Sequence, residues 1–199
     1  MSARIYHERQ VAQLCALHAL NNLYQRRNMF TKKQLDGYCY ALTPRVWPNP
    51  HRSCLGWGNY DVNVIMYAVE QLNCETIWFD RRRDPHCLNL AEIFGFILNI
   101  GAAVSLAYYI HLPGVRNRHW IALRRIEGNY YNLDSKLKQP RCIGNELKFL
   151  DYLRQQLKPE NDHELFIIVR RQRQQQQQEQ AEQQRWLRPE YRPMQEESE

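Results

Sequence analysis

None of the six cysteines (Cys15, Cys39, Cys54, Cys74, Cys87, Cys142) stands in a CxxC pair, and no second Cys/His pair at zinc-like spacing follows Cys15-x-x-His18. A zinc ribbon and a disulfide framework are both excluded on that pattern, so the expectation is reduced thiols and no metal. The opening MSARIYHERQ is too polar for a secretory signal peptide, which points to a cytoplasmic chain, with a nuclear or peripheral-membrane pool as variants. There are no internal repeats. No basic stripe interleaved with aromatics appears either, only Arg81-Arg82-Arg83 and scattered pairs, so no nucleic acid is expected as partner. One run, Ile93 to Leu112, is nearly free of charge and about as long as the ~20 residues a bilayer requires. It reads as two elements instead of a span: a helix through Leu90, Ile93, Phe94, Ile97 and Leu98 after an Asn89 cap, a stop at Asn99-Ile100-Gly101, then a buried strand from Val104 to Ile110.

What is present suits one globular domain with an appendage. The chain has 199 residues, 44% of them hydrophobic and 12% aromatic, which is enough for a real core. Its net charge of +6 belongs to the folded part, because residues 170–199 hold six basic and six acidic side chains and so balance to zero. A solvated basic surface is the simplest reading of that excess, and an adaptor for nucleic acid or anionic lipid through Arg81 to Arg83 is its rival.

Leu14 to Tyr24 is apolar on nearly every side and must form a buried helix. Thr31-Lys32-Lys33-Gln34 is a capping-box pattern opening a second helix with Leu35, Tyr38, Cys39 and Leu42 on one face, ended by Pro44. Pro44 to Gly58, with three prolines and two glycines, is a long loop. Asn59 or Asp61 then caps a third helix whose Val62, Ile65, Met66, Val69 and Leu72 share a face, and a short strand follows at Thr76 to Phe79. His119 to Leu123 and Tyr130 to Asp134, joined through Glu127-Gly128, form a hairpin. A helix over Asn145 to Leu157 and a strand over Leu165 to Val169 complete an α+β pattern, helical first and then an antiparallel sheet. From residue 171 to 199 the composition turns polar, with glutamines at 174–178, and reads as a mobile or marginally helical tail outside a 1–170 domain.

Cys15 sits at the start of the first helix, where unsatisfied backbone N–H groups and the positive end of the dipole favour a thiolate. A small buried core thiol is the bland alternative. His119, opening a strand, and Asp134, ending its hairpin partner, supply the base and the orienting carboxylate that a cysteine nucleophile needs. The turn decides whether they meet. With Glu127-Gly128 as a two-residue turn, Asp134 lies opposite Ile121 and is a diagonal neighbour of His119, the backbones about 7–8 Å apart. With Gly128-Asn129 as the turn, Asp134 faces Leu123 and sits roughly 13 Å along the strand, at about 3.3 Å per residue. Gln10, five residues before Cys15, could place its amide beside the Cys15 backbone N–H as two donors for an oxyanion. Its rival reading is a solvated side chain. His18 reads as a histidine packing the helix, and Trp120, Tyr130 and Tyr131 as sheet core, with a substrate-groove role the alternative for Trp120.

Taken together, Ile5-Tyr6-His7-Glu8-Arg9-Gln10, Leu14-Cys15-Ala16-x-His18-Ala19-Leu20-Asn21-Asn22, His119-Trp120 and Tyr131-Asn132-Leu133-Asp134-Ser135 resemble the Josephin family of deubiquitinating cysteine proteases. The resemblance spans about residues 5 to 170 and is strongest to the small stand-alone members. It implies a papain-like α+β fold, cleavage after the C-terminal glycine of ubiquitin, Cys15 as nucleophile, His119 as general base, Asp134 as orienting residue and Gln10 as oxyanion-hole contributor with Cys15. It implies no cofactor and a monomer whose partners are ubiquitin and ubiquitinated proteins. One position departs from the multidomain branch, which carries asparagine where Asp134 stands; the added charge favours a thiolate–imidazolium pair. The tail lacks the pattern of a ubiquitin-interacting motif, so binding falls to the domain. A non-catalytic ubiquitin-binding module with an enzyme-like sequence is the rival from another class.

Overall fold

The computed structural model describes residues 5–53, 57–101, 118–171 and 185–192. Three helices come first: α1 (Cys15–Tyr24), α2 (Lys32–Leu42) and α3 (Val62–Glu70). Strands β1 (Cys74–Phe79), β2 (Ile93–Gly101), β3 (Arg118–Ile126), β4 (Asn129–Asn132) and β5 (Arg141–Gly144) follow, then α4 (Glu146–Gln156) and β6 (His163–Arg170). The strands form one antiparallel sheet in the order β1-β6-β2-β3-β4-β5. Three N-terminal helices, an antiparallel sheet and one further helix before its last strand give the α+β, papain-like arrangement expected of the sequence.

Local chemistry sets the element ends. Thr31 accepts the Gln34 N–H while Gln34 bonds back to Thr31, a complete capping box for α2. Asp61, not Asn59, caps α3 by accepting the Val64 N–H. Asn145 does the same for α4 with Lys148.

The sheet separates two cores, because successive strand side chains point to opposite faces. On one face Ile97, Trp120, Ala122, Phe166 and Ile168 pack with α1, α2 and α3 through Leu20, Leu35 and Ile65. On the other, Phe96, Leu98, Ile121, Leu123, Leu165 and Ile167 pack with Phe149, Leu150 and Leu153 of α4.

One expectation is corrected. The predicted helix over Leu90 to Leu98 is absent, and Ile93–Gly101 is instead the strand β2, paired to β3 on one side and β6 on the other. Flanked and covered on both faces, β2 is apolar at nearly every position, and such a run carries no period that distinguishes strand from helix. Asn89 caps nothing; its N–H donates to the Trp186 carbonyl at 2.7 Å. The strand predicted over Val104 to Ile110 lies outside the described residues. No helix among the described residues is long and apolar enough to cross a membrane.

Of residues 171–199, residues 185–192 are described and return to the domain. Leu187 pairs with Leu88 and is 2% exposed within the α4-side core, and the Arg188 N–H donates to the Cys87 carbonyl at 2.7 Å. Polar composition hid this anchor, since a single buried leucine flanked by a tryptophan suffices to pin a segment whose average is hydrophilic.

Candidate active site

Glu127 and Gly128 both adopt positive φ, 47° and 85°, which is the geometry of a two-residue hairpin turn whose twist matches the strands. The register follows: Ile126 pairs with Asn129, Arg124 with Tyr131 and Leu123 with Asn132. Leu133 continues it by donating its N–H to the Ala122 carbonyl at 2.9 Å, after which the chain leaves the ladder at Asp134. Of the two registers weighed from sequence, this is the one that brings Asp134 to His119.

The two side chains meet at 2.6 Å, His119 Nε2 to Asp134 Oδ1. Asp134 is held in place from its own loop. Its Oδ1 also accepts the Lys136 N–H at 2.9 Å, its N–H donates to Asn132 Oδ1 at 2.8 Å, and its carbonyl lies 2.9 Å from His7 Nε2. With Nε2 taken by Asp134, the other ring nitrogen of His119 is left for the Cys15 thiol, which lies close enough to the imidazole to influence its protonation. Burial works to keep His119 neutral, yet the hydrogen bonds and charges of Asp134 and Cys15 outweigh it and raise its pKa above the ordinary imidazole value. Asp134 moves the other way. Burial opposes its charge, but the His119 bond and the Lys136 N–H hold the carboxyl below its usual range.

Cys15 is the first residue of α1 and 5% exposed. The residue before it, Leu14, offers no side-chain cap, so the first N–H groups of the helix are free of such a partner. The backbone around this end is tightly constrained. Gly58 stands at φ +112° with an added Cβ falling 2.4 Å from the Gln13 carbonyl oxygen, and the Asn59 N–H donates to that oxygen at 2.8 Å. Only glycine allows the 44–58 loop to approach the nucleophile segment this closely.

Gln10 arrives near the same place. Its backbone N–H donates to the Ser135 carbonyl at 2.8 Å, tying it to the Asp134 loop. Its side-chain amide donates to the Ala12 carbonyl at 2.9 Å, while its Oε1 is buried without a partner. The donor is thus close to the nucleophile segment but engaged within its own turn.

Trp120 and Tyr130 lie in the sheet core, as read from sequence. Trp120 is core: 4% exposed, its indole N–H donates to the Tyr60 carbonyl at 2.9 Å. Tyr130 stacks on Phe149 at 4.0 Å. The long loop from Pro44 to Gly58 is anchored in its described part by Asn49, whose amide donates to the Cys39 carbonyl at 2.9 Å, by His51 between Thr43 and Asp61 at 2.8 Å each, and by Arg52 on Asp36 at 2.8 Å. Sequence reasoning missed these anchors, and also Glu8, Asn21 and Asn22. A run of polar residues inside an otherwise apolar helix was the available signal. The Arg81 to Arg83 triplet is partly spent within the domain: Arg82 grips Asp80 through both carboxylate oxygens, and Arg81 donates to the Asn161 carbonyl at 3.2 Å.

Comparison with known proteins gives the family. The Josephin family model matches residues 10–170. The chain is 61% identical over 188 residues to the Josephin-like protein of Drosophila melanogaster, covering 94% of this chain and 82% of the relative. It is 51% identical over 142 residues to human Josephin-2, covering 71% and 74%, and 35% identical over 169 residues to the Josephin-like protein of Arabidopsis thaliana, covering 78% and 45%. With the matched segment running from the Gln10 turn through the helix of Cys15 and the hairpin of His119 and Asp134 to the last strand, the chain belongs to the Josephin family.

Proposed function

We propose that this protein is a thiol-dependent deubiquitinase, a hydrolase that cleaves after the C-terminal glycine of ubiquitin through a Cys15–His119–Asp134 triad and a thioester intermediate. The observation that carries the reading is the imidazole of His119 held by Asp134 at 2.6 Å on one nitrogen, with the Cys15 thiol close beside the same ring. Membership of a family known for cysteine deubiquitinases supplies the substrate class.

In this reading the Cys15 thiol passes its proton to His119, and the thiolate attacks the carbonyl carbon of the terminal glycine. The oxygen of the tetrahedral species takes hydrogen bonds from the Cys15 backbone N–H and the Gln10 side-chain amide. Gln10 exchanges its bond to the Ala12 carbonyl for the oxyanion as substrate binds, so this half of the hole is completed by substrate. Protonated His119 then gives its proton to the departing amine, and the C–N bond breaks to leave a thioester. A water, deprotonated by His119, attacks the thioester; its collapse returns the proton to sulfur and releases ubiquitin with a free carboxylate. Asp134 keeps the ring oriented and balances the imidazolium without taking the proton. None of these steps calls on a metal or organic cofactor. The protein acts as a cytoplasmic monomer, with a peripheral membrane contact as a secondary assignment.

The rival, a ubiquitin-binding module without activity, does not need His119 to bridge an acid and a thiol. A ubiquitin C-terminal electrophilic probe separates the two. The expected result is a covalent adduct with the wild-type chain and none with Cys15→Ala; absence of an adduct with the folded wild-type chain overturns the proposal.

A further inference from the structure

One turn along α1 from the nucleophile, His18 lies 8% exposed with both ring nitrogens engaged. Nδ1 is 2.7 Å from Glu8 Oε2, and Nε2 is 3.2 Å from the backbone nitrogen of Val11. The two partners fix where the proton sits. Glu8 also takes bonds from Tyr6 and from the Asn21 amide at 3.1 and 3.2 Å, and these with His18 hold its carboxyl below its usual range although burial opposes the charge. An ionised carboxylate only accepts, so Nδ1 carries the hydrogen. A backbone N–H only donates, so Nε2 presents its lone pair. The two constraints select the neutral Nδ1–H tautomer, the only one that satisfies both partners.

Val11 follows Gln10, whose own backbone N–H is tied to the Ser135 carbonyl at 2.8 Å. Val11 is 65% exposed, and Ala12 takes φ +50°. Before the apex, Asn22 clamps Glu8 from both sides, accepting its N–H and donating to its carbonyl at 3.2 Å, and the same amide reaches the Leu133 carbonyl at 3.0 Å. Past the apex, the Gln13 carbonyl accepts the Asn59 N–H. Between those two anchors the imidazole of His18 grips the Val11 N–H directly from the helix that carries Cys15.

We infer that His18 is a positioning residue for the reaction, its unprotonated Nε2 fixing the Gln10–Val11 turn relative to Cys15 so that the Gln10 amide reaches the oxyanion. This rests on the deubiquitinase reading above. It assigns to the Cys15-x-x-His18 spacing a role in neither metal binding nor simple packing. Glu8 acts one step further out, selecting the tautomer as a carboxylate commonly does for a histidine whose other nitrogen has work to perform.

Two near-isosteric replacements split the two bonds. His18→Gln places a carbonyl oxygen near the Nε2 position and keeps an acceptor for Val11; His18→Asn places an amide near Nδ1 and keeps the donor to Glu8 but loses that acceptor. With a fluorogenic ubiquitin C-terminal amide, His18→Asn is expected to lower kcat about 10- to 100-fold with KM little changed, the scale of a displaced oxyanion donor. His18→Gln should stay within about threefold of wild type, and Cys15 alkylation by iodoacetamide should be the same in all three, since thiol activation belongs to His119. A role confined to packing or to the Glu8 pair gives the reverse order. A folded His18→Asn chain with wild-type kcat, or His18→Gln falling as far, overturns the inference alone. A wild-type chain without Cys15-dependent turnover overturns the functional reading and this one with it. Should His18→Asn fail to fold, imidazole 15N spectra of the wild-type chain near pH 7.5 decide: a proton on Nδ1 alone is expected, and a proton on Nε2 overturns the assignment.

Discussion

Asp134 Oδ1 stands 2.6 Å from His119 Nε2 although the two residues leave their strands at different heights, because Asp134 departs from the ladder one residue after Leu133 has made its last bond to Ala122. Its carboxylate is fixed by the Lys136 N–H, so the acid is oriented before the histidine is considered. Asp134→Asn keeps an acceptor for the ring N–H and is expected to lower turnover modestly. Asp134→Ala removes acceptor and charge, and a loss of about 10²- to 10⁴-fold is expected. Turnover of one ubiquitin substrate by both variants, each checked for folding by circular dichroism, measures it; near wild-type turnover by a folded Asp134→Ala chain removes the residue from the triad.

The same pair makes stability depend on pH with a definite sign. His119 has a raised pKa in the folded state, so its contribution is full below its ordinary value of 6.5 and is lost as pH rises through the folded value. Asp134 has a lowered pKa, so its contribution is present above 3.8 and lost as pH falls through the folded value. The melting difference between wild type and Asp134→Asn is therefore expected to be largest between roughly pH 4 and 6.5 and to narrow toward pH 9. A difference that grows steadily from pH 6 to 9 contradicts the assignment.

Gln10→Ala removes the proposed oxyanion donor without touching the thiol. A fall in kcat of about 10²- to 10³-fold is expected, with Cys15 still alkylated at the wild-type rate. Equal turnover in the variant would leave the oxyanion to backbone donors.

Gly58→Ala tests the close approach of the 44–58 loop to the nucleophile segment. A methyl group at φ +112°, 2.4 Å from the Gln13 oxygen, forces that segment to shift. Activity should drop at least about tenfold, the scale of a misplaced reacting group. A fully active and equally stable variant would show that the segment yields freely.

Leu187→Ala probes the return of the C-terminal segment to the domain. Leu187 is 2% exposed beside Leu88, so its truncation should cost about 2–4 kcal/mol, read as a lower urea midpoint, while turnover at low temperature persists. An unchanged midpoint would mean that the segment is not docked in solution.

Sequence alone determined the parts of this protein that depend on near neighbours. The Thr31 capping box, the apolar faces of α2 and α3, and a turn able to take two positive φ angles are local matters, and from the turn the hairpin register follows by arithmetic. Four of the site residues were placed that way and by family likeness: Cys15, His119, Asp134 and Gln10. Tertiary structure decided whatever depends on distant partners. Whether Leu90 to Leu98 winds or extends is settled by β3 and β6 pairing along both edges of β2, since a segment buried on all sides has no polar face to reveal its period. Leu187 is core only because Leu88 is there to receive it. The proton of His18 is likewise unreadable from an apolar helix, because its place is chosen by a carboxylate ten residues away and a backbone N–H seven residues away, brought together when the chain folds back across α1.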